Sequence, residues 1–280
     1  MNRKNIQIRD PFIYREDGEY YMLGTTGPDP GGKGSDLSLY VSRDLSEFEF
    51  VKRLADPRLF EGYKQLWAPE LHYYRGRYYL ILSVYREDKG RGSIILTSDQ
   101  LDKDFVFLTG EYITPANWTC LDATLFVYGD EPYLCFSNEW IDAVGGDGDG
   151  SLFLAKLSPD LKYIEGKPVK IVSGKECGLA TALPMAGGEG WVAEGPYLIT
   201  EGKKIYLYWS TFTEKGYCVI RNVADSIFGE YKFDRYIYLN DGGHSMVFTD
   251  NDNHRKLLFH QPNKTPLERA FILDLDTVAK

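Results

Sequence analysis

Short runs of alternating hydrophobic and polar residues, separated by turns rich in Gly and Asp, extend along the whole chain. Alternation with a period of two is typical of β-strands that are buried on one face. One unit shows the plan clearly: an apolar strand begins at Glu194, a turn follows at Glu201–Lys203, and an aromatic-rich strand continues over Ile205–Ser210. No segment has the pattern of an amphipathic helix of ordinary length, so the sequence predicts an all-β fold.

This strand, turn and strand unit recurs along the sequence. Its first strands are predicted to begin at Asp10, Ala68, Asp122, Glu194 and His244. Repeats of about 40 to 50 residues that contain several short strands are typical of the blades of a β-propeller. Because the repeat runs from end to end without a linker, the sequence predicts a five-bladed β-propeller with a central channel, formed as a single domain over residues 1–280.

In a propeller the innermost strands line the channel, and their first residues meet at one mouth of it. Asp10, Asp122, Glu194 and His244 would therefore converge there, although they are far apart in the sequence. One acidic residue before a strand is more often a turn cap or an acceptor for backbone N–H groups. Three carboxylates and an imidazole at equivalent positions favour a functional site, because like charges brought together cost stability.

Three carboxylates at one mouth suit the hydrolysis of glycosides. One carboxylic acid protonates the leaving oxygen, and one carboxylate activates water or attacks the sugar. A third carboxylate close to the acid raises the pKa of that acid toward the working pH. Asp10, Asp122 and Glu194 could supply these three parts.

Five phrases, one in each predicted blade, together resemble glycoside hydrolase family 43. They are Arg9-Asp10-Pro11-Phe12-Ile13, Leu66-Trp67-Ala68-Pro69-Glu70-Leu71, Leu121-Asp122-Ala123-Thr124-Leu125-Phe126, Ala193-Glu194-Gly195-Pro196-Tyr197 and Gly243-His244-Ser245-Met246-Val247-Phe248. The resemblance implies an inverting hydrolase with Asp10 as general base, Glu194 as general acid and Asp122 as the residue that tunes and orients the acid. It implies an oligosaccharide substrate from pentose-containing plant polysaccharides, cleaved by an α-L-arabinofuranosidase, a β-xylosidase, or an endo- or exo-arabinanase.

The resemblance also implies roles for other residues at the predicted mouth. Phe12, Trp67 and His244 are expected to contact substrate, although Trp67 could equally pack between blades. His244 matches a position that holds a hydrated calcium or other cation in many members, whereas an isolated histidine is more often a hydrogen-bonded structural residue. The chemistry itself is expected to need no cofactor, and Glu70 is expected to be a structural carboxylate.

The formal net charge of −9 argues against a nucleic-acid partner, since phosphate backbones are bound by clustered Lys and Arg. The amino terminus lacks an apolar segment, and no apolar run is long enough to span a membrane. These features predict a cytoplasmic protein without a membrane partner, with a secreted or periplasmic location as the alternative if a signal peptide was removed. Cys120, Cys135, Cys177 and Cys218 have no Cys-x-x-Cys spacing and are expected to be reduced packing residues.

Two other functions remain open from the sequence. A carbohydrate-binding propeller without catalysis would keep the aromatic residues but would not need three acids. A metal-dependent propeller hydrolase such as a lactonase would need several ligands around one calcium, and only His244 is a candidate. The glycine-rich segments 26–34 and 145–150 are expected to be surface loops, and Arg269–Leu275 is expected to be the last strand of a fifth blade that has three strands or borrows Ile6–Ile8.

Overall fold

The computed structural model describes residues 1–27, 34–141, 146–185 and 188–278, and β-strands account for most of them. The first sheet consists of β1 (Arg9–Glu16), β2 (Glu19–Thr25), β3 (Ser38–Ser42) and β4 (Glu49–Arg53). The second consists of β5 (Tyr63–Tyr74), β6 (Arg77–Arg86), β7 (Gly90–Ser98) and β8 (Val106–Phe107). The third consists of β9 (Cys120–Tyr128), β10 (Glu131–Asn138), β11 (Ser151–Leu157) and β12 (Ile164–Ser173).

A small hairpin, β13 (Leu183–Met185) and β14 (Gly188–Gly190), precedes the fourth sheet. The fourth sheet consists of β15 (Glu194–Glu201), β16 (Lys204–Thr213), β17 (Gly216–Ala224) and β18 (Lys232–Tyr238). The fifth consists of β19 (Gly243–Thr249), β20 (Arg255–Gln261) and β21 (Arg269–Asp274). Short 3-10 helices lie at Arg3–Asn5 and Pro57–Phe60, and the helix α1 spans Leu275–Val278.

In each of the five main sheets, strands that follow one another in sequence are hydrogen-bonded neighbours. This meander is the structure of a propeller blade, and the predicted all-β, five-bladed β-propeller fold is confirmed. In the described part of the chain the fifth sheet has three strands. Residues 6–8 are not part of it, although the N–H of Ile8 donates to the carbonyl of Glu268 at 3.2 Å. Within the described ranges no helix is long and apolar enough to cross a membrane.

The chain divides into two compact units. Unit 1 comprises Met1–Gly90, Ile94–Glu111 and Met246–Lys280, and unit 2 comprises Arg91–Ser93 and Tyr112–Ser245. The core of unit 2 surrounds Trp209, whose indole N–H donates to Asn222 at 2.8 Å. Cys135 and Cys218 belong to this core as thiols, and burial raises the pKa of Cys218 to about 12. The prediction that they are packing residues is confirmed.

The first strands of four sheets share one irregularity near their start. On β1, Arg9 pairs with Thr25 and Phe12 pairs with Leu23, so three steps along β1 face two steps along β2. The same extra residue occurs after Trp67 on β5, after Leu121 on β9 and after Glu194 on β15. Each is a β-bulge, which bends the strand and re-aims its side chains.

The bulge corrects the predicted alignment of the repeats. In each bulge the second residue has a left-handed backbone, with φ of 48° at Asp10, 44° at Ala68, 55° at Asp122 and 56° at Gly195. His244 on β19 has the same conformation, with φ of 54°. The residue equivalent to Asp10, Asp122 and His244 is therefore Gly195, and Glu194 lies one position earlier. Alternation alone places the strand start at the acid, because a bulge leaves no mark in the hydrophobic pattern.

Both glycine-rich segments fall in part on residues outside the described ranges. Segment 26–34 includes residues 28–33, and segment 145–150 includes residue 145, and these are not described. The described end of the second segment is held by Asp149, which is buried and accepts hydrogen bonds from Ser151 and Ser173. The carboxylate of Asp149 therefore stabilises the described end of this loop.

Candidate active site

In unit 2, Asp122 is tied directly to the residue that follows Glu194. Its Oδ2 accepts the N–H of Gly195 at 3.0 Å, and only 7% of its side chain is exposed. This hydrogen bond holds the backbone of Gly195 at the start of β15. It therefore also positions Glu194, the residue before Gly195. The orienting role of Asp122 stays a prediction, and this hydrogen bond to the main chain is the contact through which it would act.

His244 lies beside the same carboxylate. Its Nδ1 is 3.5 Å from Asp122 Oδ2, and its N–H donates to Ser210 Oγ at 2.7 Å. The unit therefore brings together Asp122, His244 and the backbone at Glu194. Gly195 is needed at this point because a Cβ there would lie 3.0 Å from Cγ of His244.

The surroundings of His244 do not form a cage of protein ligands for a cation. Ca²⁺ takes about six to eight oxygen ligands. Among the described residues, the cluster with the spacing of metal ligands is Asp250, Asp252 and His254, which does not include His244. The metal at His244 stays a prediction.

The carboxylates at Asp250 and Asp252 are explained by the turn that joins β19 to β20. Asp250 Oδ1 accepts the N–H groups of Asp252 and His254 at 3.0 and 2.8 Å, and its Oδ2 lies 3.3 Å from Nζ of Lys256. Hydrogen bonds from the backbone N–H groups that follow an Asp to its carboxylate are common in turns. The carboxylate of Asp250 therefore stabilises the turn between β19 and β20.

Glu194 has a partner that no sequence motif indicated. The hydroxyl of Tyr217, the second residue of β17, donates to Glu194 Oε1 at 2.7 Å. Tyr217 is 1% exposed, whereas Glu194 is half-buried. The tyrosine is a buried, directed donor to the predicted general acid.

In unit 1, Asp10 is held by two side chains. Thr25 Oγ1 donates to Asp10 Oδ2 at 2.8 Å, and the N–H of Asp10 donates to Nδ1 of His260 at 3.2 Å. His260 is fully buried, and its Nε2 lies 3.2 Å from Oδ1 of Asn263. Because Nδ1 accepts, the ring proton belongs on Nε2, which can donate to Asn263. Sequence reasoning missed His260 as a partner of Asp10.

His260 follows a rule of the repeat. The N–H of Ala68 donates to Thr25 Oγ1, and the N–H of His244 donates to Ser210 Oγ. In each case a hydroxyl within the last four residues of a second strand accepts the N–H of the left-handed residue that opens the following blade. His260 on β20 does the same for Asp10, so the signal was its position at the end of that strand.

The remaining predicted residues also lie in unit 1. Phe12 is 5% exposed, and its ring centre is 5.1 Å from that of His72, at an angle of 58°. Glu70 Oε2 is 2.8 Å from Nε2 of the same His72, which gives Glu70 a structural partner. Trp67 is half-buried and pairs with Ser83. Contact of Phe12 and Trp67 with substrate stays a prediction, and Trp67 offers the larger accessible surface.

Residues 4–275 match the protein family described as glycosyl hydrolases family 43. A relative from Aspergillus clavatus, named a probable arabinan endo-1,5-α-L-arabinosidase C, is 30% identical over 58% of this chain and 49% of its own length. The match therefore spans about half of that relative. A relative from Cellvibrio japonicus, named an extracellular exo-α-(1→5)-L-arabinofuranosidase ArbA, is 23% identical over 89% of this chain and 73% of its own.

Among solved structures, the chain is similar to one described as an endo-arabinase from Bacteroides thetaiotaomicron. The TM-score is 0.87 and the identity 28%, over 98% of this chain and 96% of that chain. The likeness thus extends over all five sheets and both units.

Proposed function

Because the chain belongs to glycosyl hydrolases family 43, we propose that it hydrolyses the α-1,5 linkages of arabinan and of its oligosaccharides. The names of the Aspergillus and Cellvibrio relatives support this substrate, since both specify the 1,5 linkage. The name of the similar Bacteroides structure supports endo action. Membership of a hydrolase family also favours an enzyme over a carbohydrate-binding propeller without catalysis.

Glu194 is the general acid and Asp10 the general base in this proposal. Glu194 gives its proton to the glycosidic oxygen as the bond to the anomeric carbon breaks. Asp10 takes a proton from the water that attacks the anomeric carbon, and the configuration there inverts. The observation that carries the assignment is the hydrogen bond from the amide N–H of Gly195 to Asp122 Oδ2, which ties a buried carboxylate to the residue next to the acid.

The surroundings of the two acids suit these roles. The hydrogen bond from Thr25 favours the ionised form of Asp10, which a base needs. The negative charge of Asp122 disfavours ionisation of Glu194, which an acid needs. Trp67 and Phe12 are the proposed contacts for the sugar rings. The word extracellular in the name of the Cellvibrio relative supports the secreted alternative over a cytoplasmic location.

The roles of the two acids are tested by leaving groups of different acidity. In Glu194→Gln, kcat on arabino-oligosaccharides should fall by about 10²- to 10⁴-fold, with a much smaller loss on an aryl arabinofuranoside whose leaving group needs no proton. In Asp10→Asn, kcat should fall on both substrates, because each reaction needs an activated water. Equal losses on both substrates in Glu194→Gln would contradict its role as the acid.

The substrate is tested by a screen with the unmodified chain. Linear arabinan, arabinoxylan and the p-nitrophenyl arabinofuranoside and xyloside should be compared, with products separated by chromatography. Release of short arabino-oligosaccharides from linear arabinan is the expected result. A preference for the xyloside would replace the proposal with a β-xylosidase.

A further inference from the structure

A buried tyrosine in unit 2 is aimed at the proposed general acid. The Tyr217 hydroxyl donates to Glu194 Oε1 at 2.7 Å, a normal length for a hydrogen bond between a hydroxyl and a carboxylate. Its ring is fixed by Phe212, with the two ring centres 4.9 Å apart. Because the side chain is 1% exposed, water has little access to it. The donor is thus held in place before any substrate binds.

The sequence makes room for this ring at Gly243. A Cβ on Gly243 would lie 2.2 Å from Cε1 of Tyr217 and 2.5 Å from its Cδ1, so any other residue would displace the ring. Gly243 directly precedes the left-handed residue His244, as Glu194 precedes Gly195. The position that carries the acid in the fourth blade is therefore empty of a side chain in the fifth, and Tyr217 occupies that space.

We propose that Tyr217 is a positioning residue for the general acid, holding Glu194 by Oε1 so that Oε2 carries the proton delivered to the glycosidic oxygen. The inference rests on the proposed role of Glu194. As the proton leaves, negative charge develops on the carboxylate, and a hydrogen bond from the phenol becomes stronger. An interaction that is stronger in the transition state than in the ground state raises kcat. Tyr217 thus stabilises the carboxylate that proton transfer produces.

Tyr217 and Asp122 act on Glu194 in opposite directions. A hydrogen bond to the ionised form lowers the pKa of an acid, whereas a neighbouring carboxylate raises it. Among the described residues, Asp122 on β9 and His244 on β19 lie beside Gly195, the residue after Glu194, and Oδ1 of Asp241 would lie 3.3 Å from a Cβ on Gly216, the residue before Tyr217. The two variants Tyr217→Phe and Asp122→Asn should therefore move the basic limb of kcat/KM in opposite directions.

The test is the pH dependence of kcat/KM in Tyr217→Phe, which removes only the hydroxyl. The basic limb should move to higher pH by about one unit, since a hydrogen bond to a charged group is equivalent to one to two pKa units. On arabino-oligosaccharides kcat should fall about tenfold, with little change on an activated aryl arabinofuranoside and in KM. A basic limb and a leaving-group dependence that both match the unmodified chain would overturn the inference.

Tyr231→Phe is the matched control. Tyr231 is also a buried tyrosine of unit 2, but its hydroxyl donates to the carbonyl of Ile227 at 3.0 Å. Both variants should lower the melting temperature, and only Tyr217→Phe should move the basic limb. If Tyr217→Phe does not fold, Gly243→Ala displaces the ring while keeping the hydroxyl, and the same upward movement is expected.

Failure of the inference is separable from failure of the proposed function. If Glu194→Gln shows the expected leaving-group dependence and Tyr217→Phe does not move the limb, Glu194 is the acid and Tyr217 only a packing residue. If Glu194→Gln shows no such dependence, the assignment of the acid is itself wrong.

Discussion

Each of the three predicted catalytic carboxylates is held by a different kind of partner. Asp10 accepts a hydrogen bond from the hydroxyl of Thr25, Asp122 accepts one from the backbone N–H of Gly195, and Glu194 accepts one from the phenol of Tyr217. The acids themselves could be predicted, because each lies in a short recognisable phrase. Their partners could not, since Tyr217 is 23 residues from Glu194 and His260 is 250 residues from Asp10. Only strand pairing and the order of the blades bring them together.

Replacement of Asp122 by Asn separates its charge from its geometry. The amide oxygen of Asn can still accept the N–H of Gly195, so the start of β15 should be preserved. Loss of the negative charge removes the repulsion that keeps Glu194 protonated, and the basic limb of kcat/KM should therefore move to lower pH. This direction is opposite to that expected for Tyr217→Phe. An unmoved basic limb would leave Asp122 with a positioning role alone.

At the scale of the elements, the hydrophobic pattern predicts the strands well and their register less well. The blades, the turns after the first strands and the last strand at Arg269 agree with the structure. The bulge in each first strand does not appear in the pattern, because it adds one residue without changing which residues are apolar. The bulge sets where the acids lie: Asp10 and Asp122 occupy the left-handed position, while Glu194 precedes it. Asp and Gly tolerate that conformation better than most residues do.

Gly195→Ala tests the bulge that follows the acid. The φ of 56° disfavours any Cβ by about 1 to 2 kcal/mol, and the new methyl group would also press on His244, 3.0 Å from its Cγ. Stability and kcat should both fall, as measured by denaturant unfolding and by turnover of arabino-oligosaccharides.

Gly202→Ala provides the matched control for this variant. Gly202 has a φ of 60°, and a Cβ there would meet no atom within 4 Å. Gly202→Ala should lose a similar amount of unfolding free energy through its backbone conformation while keeping its activity. Equal activity in the two variants would show that the contact between Gly195 and His244 has no part in catalysis.

At the scale of the whole molecule, the repeat predicts the fold and the five phrases indicate the family, and both are confirmed. The repeat does not predict how β1 is fastened to the segment before β21 in unit 1. There Arg9 donates to Oε1 of Glu268 at 2.8 Å, and the Glu268 side chain is fully buried. Arg9 belongs to the Arg-Asp-Pro phrase that carries the base, so this ion pair also anchors the start of the strand at Asp10.

The ion pair at Glu268 should make stability depend on acid pH. Burial alone would raise the pKa of Glu268, but hydrogen bonds from Thr265 and Arg9 outweigh it and hold that pKa below its ordinary value. The contribution is therefore present above the ordinary pKa of about 4.3 and is lost as the pH falls through the lower folded value. Glu268→Gln should cost about 1 to 3 kcal/mol of unfolding free energy at pH 7, and less as the pH falls toward 3.

The exposed ion pair between Lys64 and Glu87 provides the control, since 72% of the Glu87 side chain is accessible. Glu87→Gln should leave the melting temperature unchanged at both pH values, because exposed pairs contribute little. A loss in Glu268→Gln that does not depend on pH would mean that packing, and not ionisation, is what Glu268 contributes.

The stereochemistry of hydrolysis tests the central claim most directly. Proton NMR of the reaction on a linear α-1,5-arabino-oligosaccharide shows which anomer forms first, before mutarotation mixes the two. With Asp10 activating water and Glu194 protonating the leaving oxygen, a single displacement occurs and the first product is the β anomer. An α anomer as the first product would mean a covalent glycosyl-enzyme formed in two displacements, and would contradict the inverting mechanism and the role of Asp10 as general base.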